Sequence, residues 1–373
     1  MSTRTRVASL FQVWQDVATS NIAYSRAGFI SAVSGFAGGD VDTGAELTAL
    51  ENACGSGQST QSFIVYDANG RIFDDLGVDT ESVIGFAGPC GINSAGRITG
   101  GEAVMNGLFT DGVTAPGAAI PNPADISNEK FNAAFIHEFG HFSGLDHSQI
   151  NVNCLGTCGA DDESGLPTMF PILVSLEMAT LATDDIAWIS RLYPQLSGGT
   201  TFAGTHGTLT GTVRFSDTMT HAQGVNVIAR PVDTGTNQDR KFAVSVVSGF
   251  KFTGNPGQSV TAAPYLNGAS DNTGGDSFGS RQTADIGRFE IPVPTGSYTI
   301  EVESINAGFD GGSSVGPLDP PIPMPGTAPA AAGPFAVAAG GTVNAGDIVL
   351  VGTNPRLDAF EGGKKRRAQT ISE

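Results

Sequence analysis

A chain of 373 residues with 40% apolar content is long enough for two or three hydrophobic cores and too apolar to be wholly disordered, so it folds. A formal net charge of −18 repels a phosphate backbone and argues against nucleic-acid binding, since the one basic run, Lys364 to Arg367, lies in a polar tail where it reads as solvated charge. No stretch approaches the ~20 apolar residues of a membrane span, and 15% charged residues with 51 glycines suit β-rich extracellular proteins better than cytosolic enzymes.

In chain order, residues 6–19 place Val7, Leu10, Phe11, Val13, Trp14 and Val17 on one helical stripe, so a helix opens the chain. Met1 to Arg6 offers no apolar core for a signal peptide; either export is absent or its signal lies upstream. Residues 62–66 end on the turn signal Asp67-Ala-Asn-Gly70, and 62–66, 82–87 and 102–108 are apolar runs of strand length. A second helix starts at Ser127 or Asn128 as N-cap, with Glu129 suiting the dipole of the first turn, and runs to about Phe142, where Gly144 fits a C-terminal stop. A third spans 183–192, capped by Thr183 with Asp184 and Asp185 in its first turn.

After Tyr193-Pro194 the helical period disappears. Residues 197–200 read as a linker, and 208–215, 224–230, 288–302 (with a turn at Thr295-Gly296) and 347–351 alternate as strands. The Gly/Pro/Ser/Ala-rich stretches 249–284 and 308–341 read as long loops. Four cysteines, Cys54, Cys90, Cys154 and Cys158, are an even set for two disulfides, with Cys154 and Cys158 close enough to staple one loop; a structural zinc on all four thiolates is the rival, and C-x3-C plus two lone cysteines fits it poorly.

Three of the five histidines stand within eleven residues, in Phe-Ile-His137-Glu138-Phe-Gly-His141-Phe-Ser-Gly144-Leu-Asp-His147. His137 and His141, four apart on a helix, project from one face at a spacing that lets two ring nitrogens meet one metal. Glu138 is turned about 100° away from them, out of the ligand set but within reach of a water on the metal. Gly144 lets the backbone turn, and His147 arrives as the third ligand. Three neutral imidazoles leave a fourth position open, the mark of a catalytic rather than a closed structural zinc.

The run His137 to Ser148 resembles the metzincin zinc proteases, and within them the matrixins, the matrix-metalloproteinase type. Residues 167–171, Pro-Thr-Met-Phe-Pro, look like the Met-turn, which would put Met169 beneath the ligands; residues 181–193 resemble the last helix of a matrixin and residues 9–17 the first. Pro171 stands where astacins and serralysins carry a tyrosine, again as in matrixins. The resemblance covers residues 5 to 194. It implies a first strand ahead of the first helix, and only Met1 to Thr5 precedes that helix here, so we expect the natural start and its export signal upstream.

Other departures from the family concern the metals and the cysteines. His147 and Met169 are 22 positions apart, more than in a typical matrixin, and the added loop carries Cys154, Cys158 and the acidic run Asp161 to Glu163. That run reads first as a solvated loop and, as the alternative, as a calcium site. With only His206 and His221 left over, the resemblance implies one zinc. Cys90 lacks the Arg and Asp neighbours of a propeptide thiol and is not read as one. Farther on, Gly211-x-Val213, Gly287-x-Phe289-x-Ile291 and Pro294-x-Gly296-x-Tyr298-x-Ile300 resemble the carboxypeptidase regulatory-like, transthyretin-like sandwich, which reports fold rather than function.

The expected architecture is an α+β metzincin-type catalytic domain at residues 1–196, with a twisted mixed sheet, a long zinc helix and a C-terminal helix. A linker at 197–204, an all-β sandwich at 205–352 and a polar tail at 353–373 follow. The expected function is a secreted, extracellular zinc metalloendopeptidase acting on a protein or peptide substrate. Its catalytic residue would be Glu138 and its metal ligands His137, His141 and His147, supported by Gly144, Met169 and Pro171. The alternative is an adhesion module that keeps the zinc scaffold without proteolysis; oligomeric state is not legible.

Overall fold

The computed structural model describes residues 3–30, 41–55, 62–92, 98–145, 147, 148, 150, 165–217, 219–222, 225–232, 241–249, 287–303 and 328–351. The expected loop staple of Cys154 and Cys158, the acidic run 161–163 and the tail 353–373 lie outside them. The described chain is a mixed α+β structure with three small sheets.

Helix α1 (Thr3–Gln15) buries Leu10 and Trp14. It stops four residues before the sequence stripe ends because the next segment pairs elsewhere: Asn21 donates to the Tyr193 carbonyl at 2.8 Å and Gln195 to that of Thr19 at 2.9 Å. Helix α2 (Gly44–Gly55) was not expected from apolar period. Its signal is the capping box Thr43-x-x-Glu46, in which the Glu46 N–H reaches the Thr43 hydroxyl and the Glu46 carboxylate accepts from the Asp42 N–H and from that hydroxyl.

Strands β1 (Phe63–Asp67), β2 (Gly85–Ile92) and β3 (Ile98–Asn106) form a mixed sheet in the order β1-β3-β2, β3 running parallel to β1 and antiparallel to β2. The expected strand at 82–87 is shifted: residues 82–84 close a turn, with Val83 donating to the Asp79 carbonyl, and pairing continues instead through Pro89-Cys90-Gly91 with a register shift. Between β1 and β2, the Asp67 carboxylate caps the Ile72 and Phe73 N–H groups and opens the short helix α3 (Arg71–Asp75) where the sequence suggested only a turn. A disulfide joins Cys54 of α2 to Cys90 of β2, as the even cysteine count allows.

Helix α4 (Asn128–Phe142) packs on β2, β3 and α1. Helix α5 (Thr183–Leu192) has the expected bounds but not the expected cap. Thr183 is its first helical residue; Ala182, with no oxygen to offer, holds the cap, and the Asp185 carboxylate reaches back to the Ala182 N–H at 2.7 Å.

The remaining strands form two sheets that face one another. Strands β4 (His206–Phe215), β7 (Arg288–Pro294) and β10 (Thr342–Leu350) pair in the order β10-β4-β7, and β5 (Asn226–Pro231), β6 (Val244–Val247), β8 (Gly296–Glu303) and β9 (Ala332–Val337) in the order β6-β5-β8-β9. Alternate residues Leu209, Val213, Phe289 and Ile291 of one sheet and Val227, Val246, Ile300 and Val302 of the other share a core. The stretch 308–341, expected as loop, contains β9: Ala-Gly-Pro-Phe-Ala-Val is poor in β-branched residues, and it is a strand because β8 offers it an edge. Among the described residues no helix is long and apolar enough to cross a membrane.

Candidate metal centre

Helix α4 begins where the sequence puts it, Ser127 accepting from the Lys130 N–H with Glu129 in the first turn. Its far end decides the geometry of the site. Gly144 takes φ +94°, its N–H reaches the His141 carbonyl at 2.8 Å, and the Leu145 N–H reaches the Gly140 carbonyl at 3.0 Å. These two bonds make a Schellman motif, which needs a left-handed residue at Gly144 and folds the chain back on the helix. The returning Leu145 carbonyl then accepts from His141 Nδ1 at 2.8 Å.

His137 is oriented in the same way by a different segment, its Nδ1 donating to the Thr168 carbonyl at 2.7 Å. A carbonyl only accepts, so both rings carry their proton on Nδ1 and present bare lone pairs at Nε2. Those two atoms stand 3.1 Å apart, and His147 Nε2 lies 3.0 Å from His141 Nε2 and 3.2 Å from His137 Nε2. His147 has at most one proton to offer there, so the three nitrogens cannot satisfy one another by hydrogen bonds. A cation between them removes the conflict. Nitrogens at about 2.0–2.1 Å from one tetrahedral ion stand about 3.3 Å apart, within a few tenths of an ångström of this triangle. The three histidines therefore fit a metal ion, and they form the one such group among the described residues.

Electrostatics agree with that donor set. Burial, with His141 adding repulsion, holds His137 down to about 3; burial takes His141 to about 4 and His147 well below the ordinary imidazole range. All three are neutral and ready to ligate at neutral pH. Glu138 is buried beside the first residue of β2, so close that a Cβ on Gly85 would lie 2.9 Å from its Cγ. Its Oε2 accepts no hydrogen bond, and burial pushes the carboxyl up to about 8. A cation nearby pulls such a group back towards its ionised form.

The turn at residues 167–170 lies under the site. Phe170 donates to the Pro167 carbonyl, Thr168 holds His137, and the Met169 carbonyl accepts from the Ser148 N–H at 2.8 Å, next to His147. The Met169 side chain is buried with its sulfur against α4 at Gly140, where an added Cβ would run into it. Pro171 is half-buried and has no direct part in this network. The turn is itself clamped by a residue that the motif does not mark: Asp185 accepts from the N–H groups of Thr168 at 2.9 Å, Met169 at 3.0 Å and Ala182 at 2.7 Å. In the sequence Asp185 looks like a charge suited to a helix dipole, and nothing local separates that role from this one. The structure thus gathers His137, His141, His147, Gly144 and Met169 in one place, with Glu138 on the same helix. Cys54 and Cys90 tie α2 to β2 through their disulfide.

Comparisons of the chain with protein-family models, with curated proteins and with solved structures give no match.

Proposed function

We propose that the chain is an extracellular, zinc-dependent metalloendopeptidase of metzincin type, matrixin-like, followed by a transthyretin-like sandwich. One observation carries this reading: three imidazole Nε2 atoms converge to within 3.0–3.2 Å while the carboxyl of the intervening Glu138 keeps an unpartnered oxygen. A zinc ion on His137, His141 and His147 would acidify a water and polarise a substrate carbonyl. The Glu138 carboxylate would be the group that takes a proton from such a water and hands it to the leaving amine.

Two features favour a polypeptide substrate. Among the described residues, strand β2 is the edge of its sheet and begins beside Glu138, so an extended chain can pair with it. Ile172, Val174 and Leu176 are exposed at alternate positions leading into the short turn Leu176–Ala179, which packs on α4, and they offer an apolar surface to a substrate side chain. The disulfide suits an oxidising compartment.

The test is digestion of a panel of unfolded proteins by the zinc-loaded full chain. Cleavage should fall at least about a hundredfold in Glu138→Ala, the scale on which a general base contributes. A wild-type chain that cuts nothing, with Glu138→Ala indistinguishable from it, overturns the proposal and leaves the adhesion module.

A further inference from the structure

Just beyond the third histidine, the described residues Ser148 and Ile150 reach the β-sandwich. Ser148, next to His147, is buried with its hydroxyl 3.5 Å from that of Ser245 on β6, and it also bonds the Asp184 carboxylate. Asp184 accepts the Ser245 N–H at 2.8 Å, and the Trp188 indole donates to the Ser245 carbonyl at 2.8 Å. Ile150, two residues farther on, is buried in a cluster with Ile228 of β5 and Ala243 of the sandwich. Helix α5 thus holds both backbone polar groups of one sandwich residue, and beyond His147 Ser148 lies between α5 and β6 while Ile150 packs on the sandwich.

We propose that the β-sandwich is a working part of the metal centre: strand β6, through Asp184 and Ser148, and β5, through Ile150, position the third ligand His147. This rests on the metal-site reading above and adds to it a role for the second half of the chain. The first two ligands need no such help. Helix α4 sets their spacing, and the Thr168 and Leu145 carbonyls set their rings. His147 lies beyond the helix, and the residues that follow it are held by the Met169 carbonyl and Asp184 on one side and by the sandwich on the other. Partners that orient a ligand typically matter 10–100-fold in metal affinity.

The test uses the full chain and reads metal binding rather than cleavage: zinc affinity by chelator competition, and the visible bands of bound cobalt, which report ligand number and symmetry. Asp184→Ala should bind zinc at least about tenfold more weakly, with altered cobalt bands. Ile228→Val, which removes one methyl under Ile150 and keeps the fold, should shift both readouts in the same direction to a smaller extent. Arg191→Gln breaks the Arg191–Glu290 pair at the same interface but away from the ligand loop, and should change neither. If Asp184→Ala does not fold, Ile228→Val decides. Wild-type affinity and bands in the folded variants, or an equal loss in Arg191→Gln, overturn the proposal while the metal centre stands. A wild-type chain that binds no metal overturns both.

Discussion

Gly140 stands between His137 and His141 on α4, and its lack of a side chain is what admits the Met169 sulfur beneath them, with Trp14 closing the same space. In an open helix Gly→Ala gains about 1 kcal/mol. Here the sign should reverse. Gly140→Ala should cost about 1–3 kcal/mol in urea unfolding, the usual scale of overpacking, and the cost should shrink when Met169→Ala makes room. At this scale the sequence is most legible, because spacing along one helix is local: four positions put His137 and His141 on one face, and a glycine three beyond His141 serves the left-handed turn. Asp185 and Ser148 are not legible in the same way. Their partners at the site, Met169 for Asp185 and Ser245 for Ser148, lie 16 and 97 positions away, and each reads locally as an ordinary helix-start acid or loop serine.

Among the elements, the central strand β3 carries an acid into the layer between sheet and α2. Burial, with Glu51 adding repulsion, pushes Glu102 up to about 7 from its ordinary 4.5. Its Oε2 accepts no hydrogen bond. The folded chain therefore keeps a proton that the unfolded chain gives up, and the cost of the charge is absent below about pH 4.5, grows up to pH 7 and is complete above it. Glu102→Gln should stabilise the fold by about 1–2 kcal/mol at pH 8 after discounting for solvent, and by nothing near pH 4. Thermal melting of both chains across that range checks it. The strands and helices of this half were readable to within a few residues where apolar runs are long. The errors share a cause: α1 is cut short by the pairing of Asn21 with Tyr193, and β2 extends through Pro89-Cys90-Gly91 because β3 and Cys54 hold it there.

At the scale of the whole molecule, the Cys54–Cys90 disulfide closes a loop of 36 positions around β1 and α3. Chain entropy puts its contribution at about 3–4 kcal/mol, and the Cys54→Ser, Cys90→Ser double variant should lose that much in urea. The second half shows where sequence reasoning stops. Strands β4, β7 and β8 alternate strongly enough to be found, whereas β9 exists only because β8 presents an edge to an Ala- and Gly-rich segment. The docking of that sandwich on α5 through Ser245 has no local signature at all.

Everything functional depends on three nitrogens sharing one ion with a coordination position to spare. X-ray absorption at the zinc edge of the purified full chain measures this directly. The expected result is one zinc per chain with three nitrogen neighbours at about 2.0 Å and one oxygen from water. A chain that retains no zinc, or a site closed by a fourth protein ligand, would contradict it.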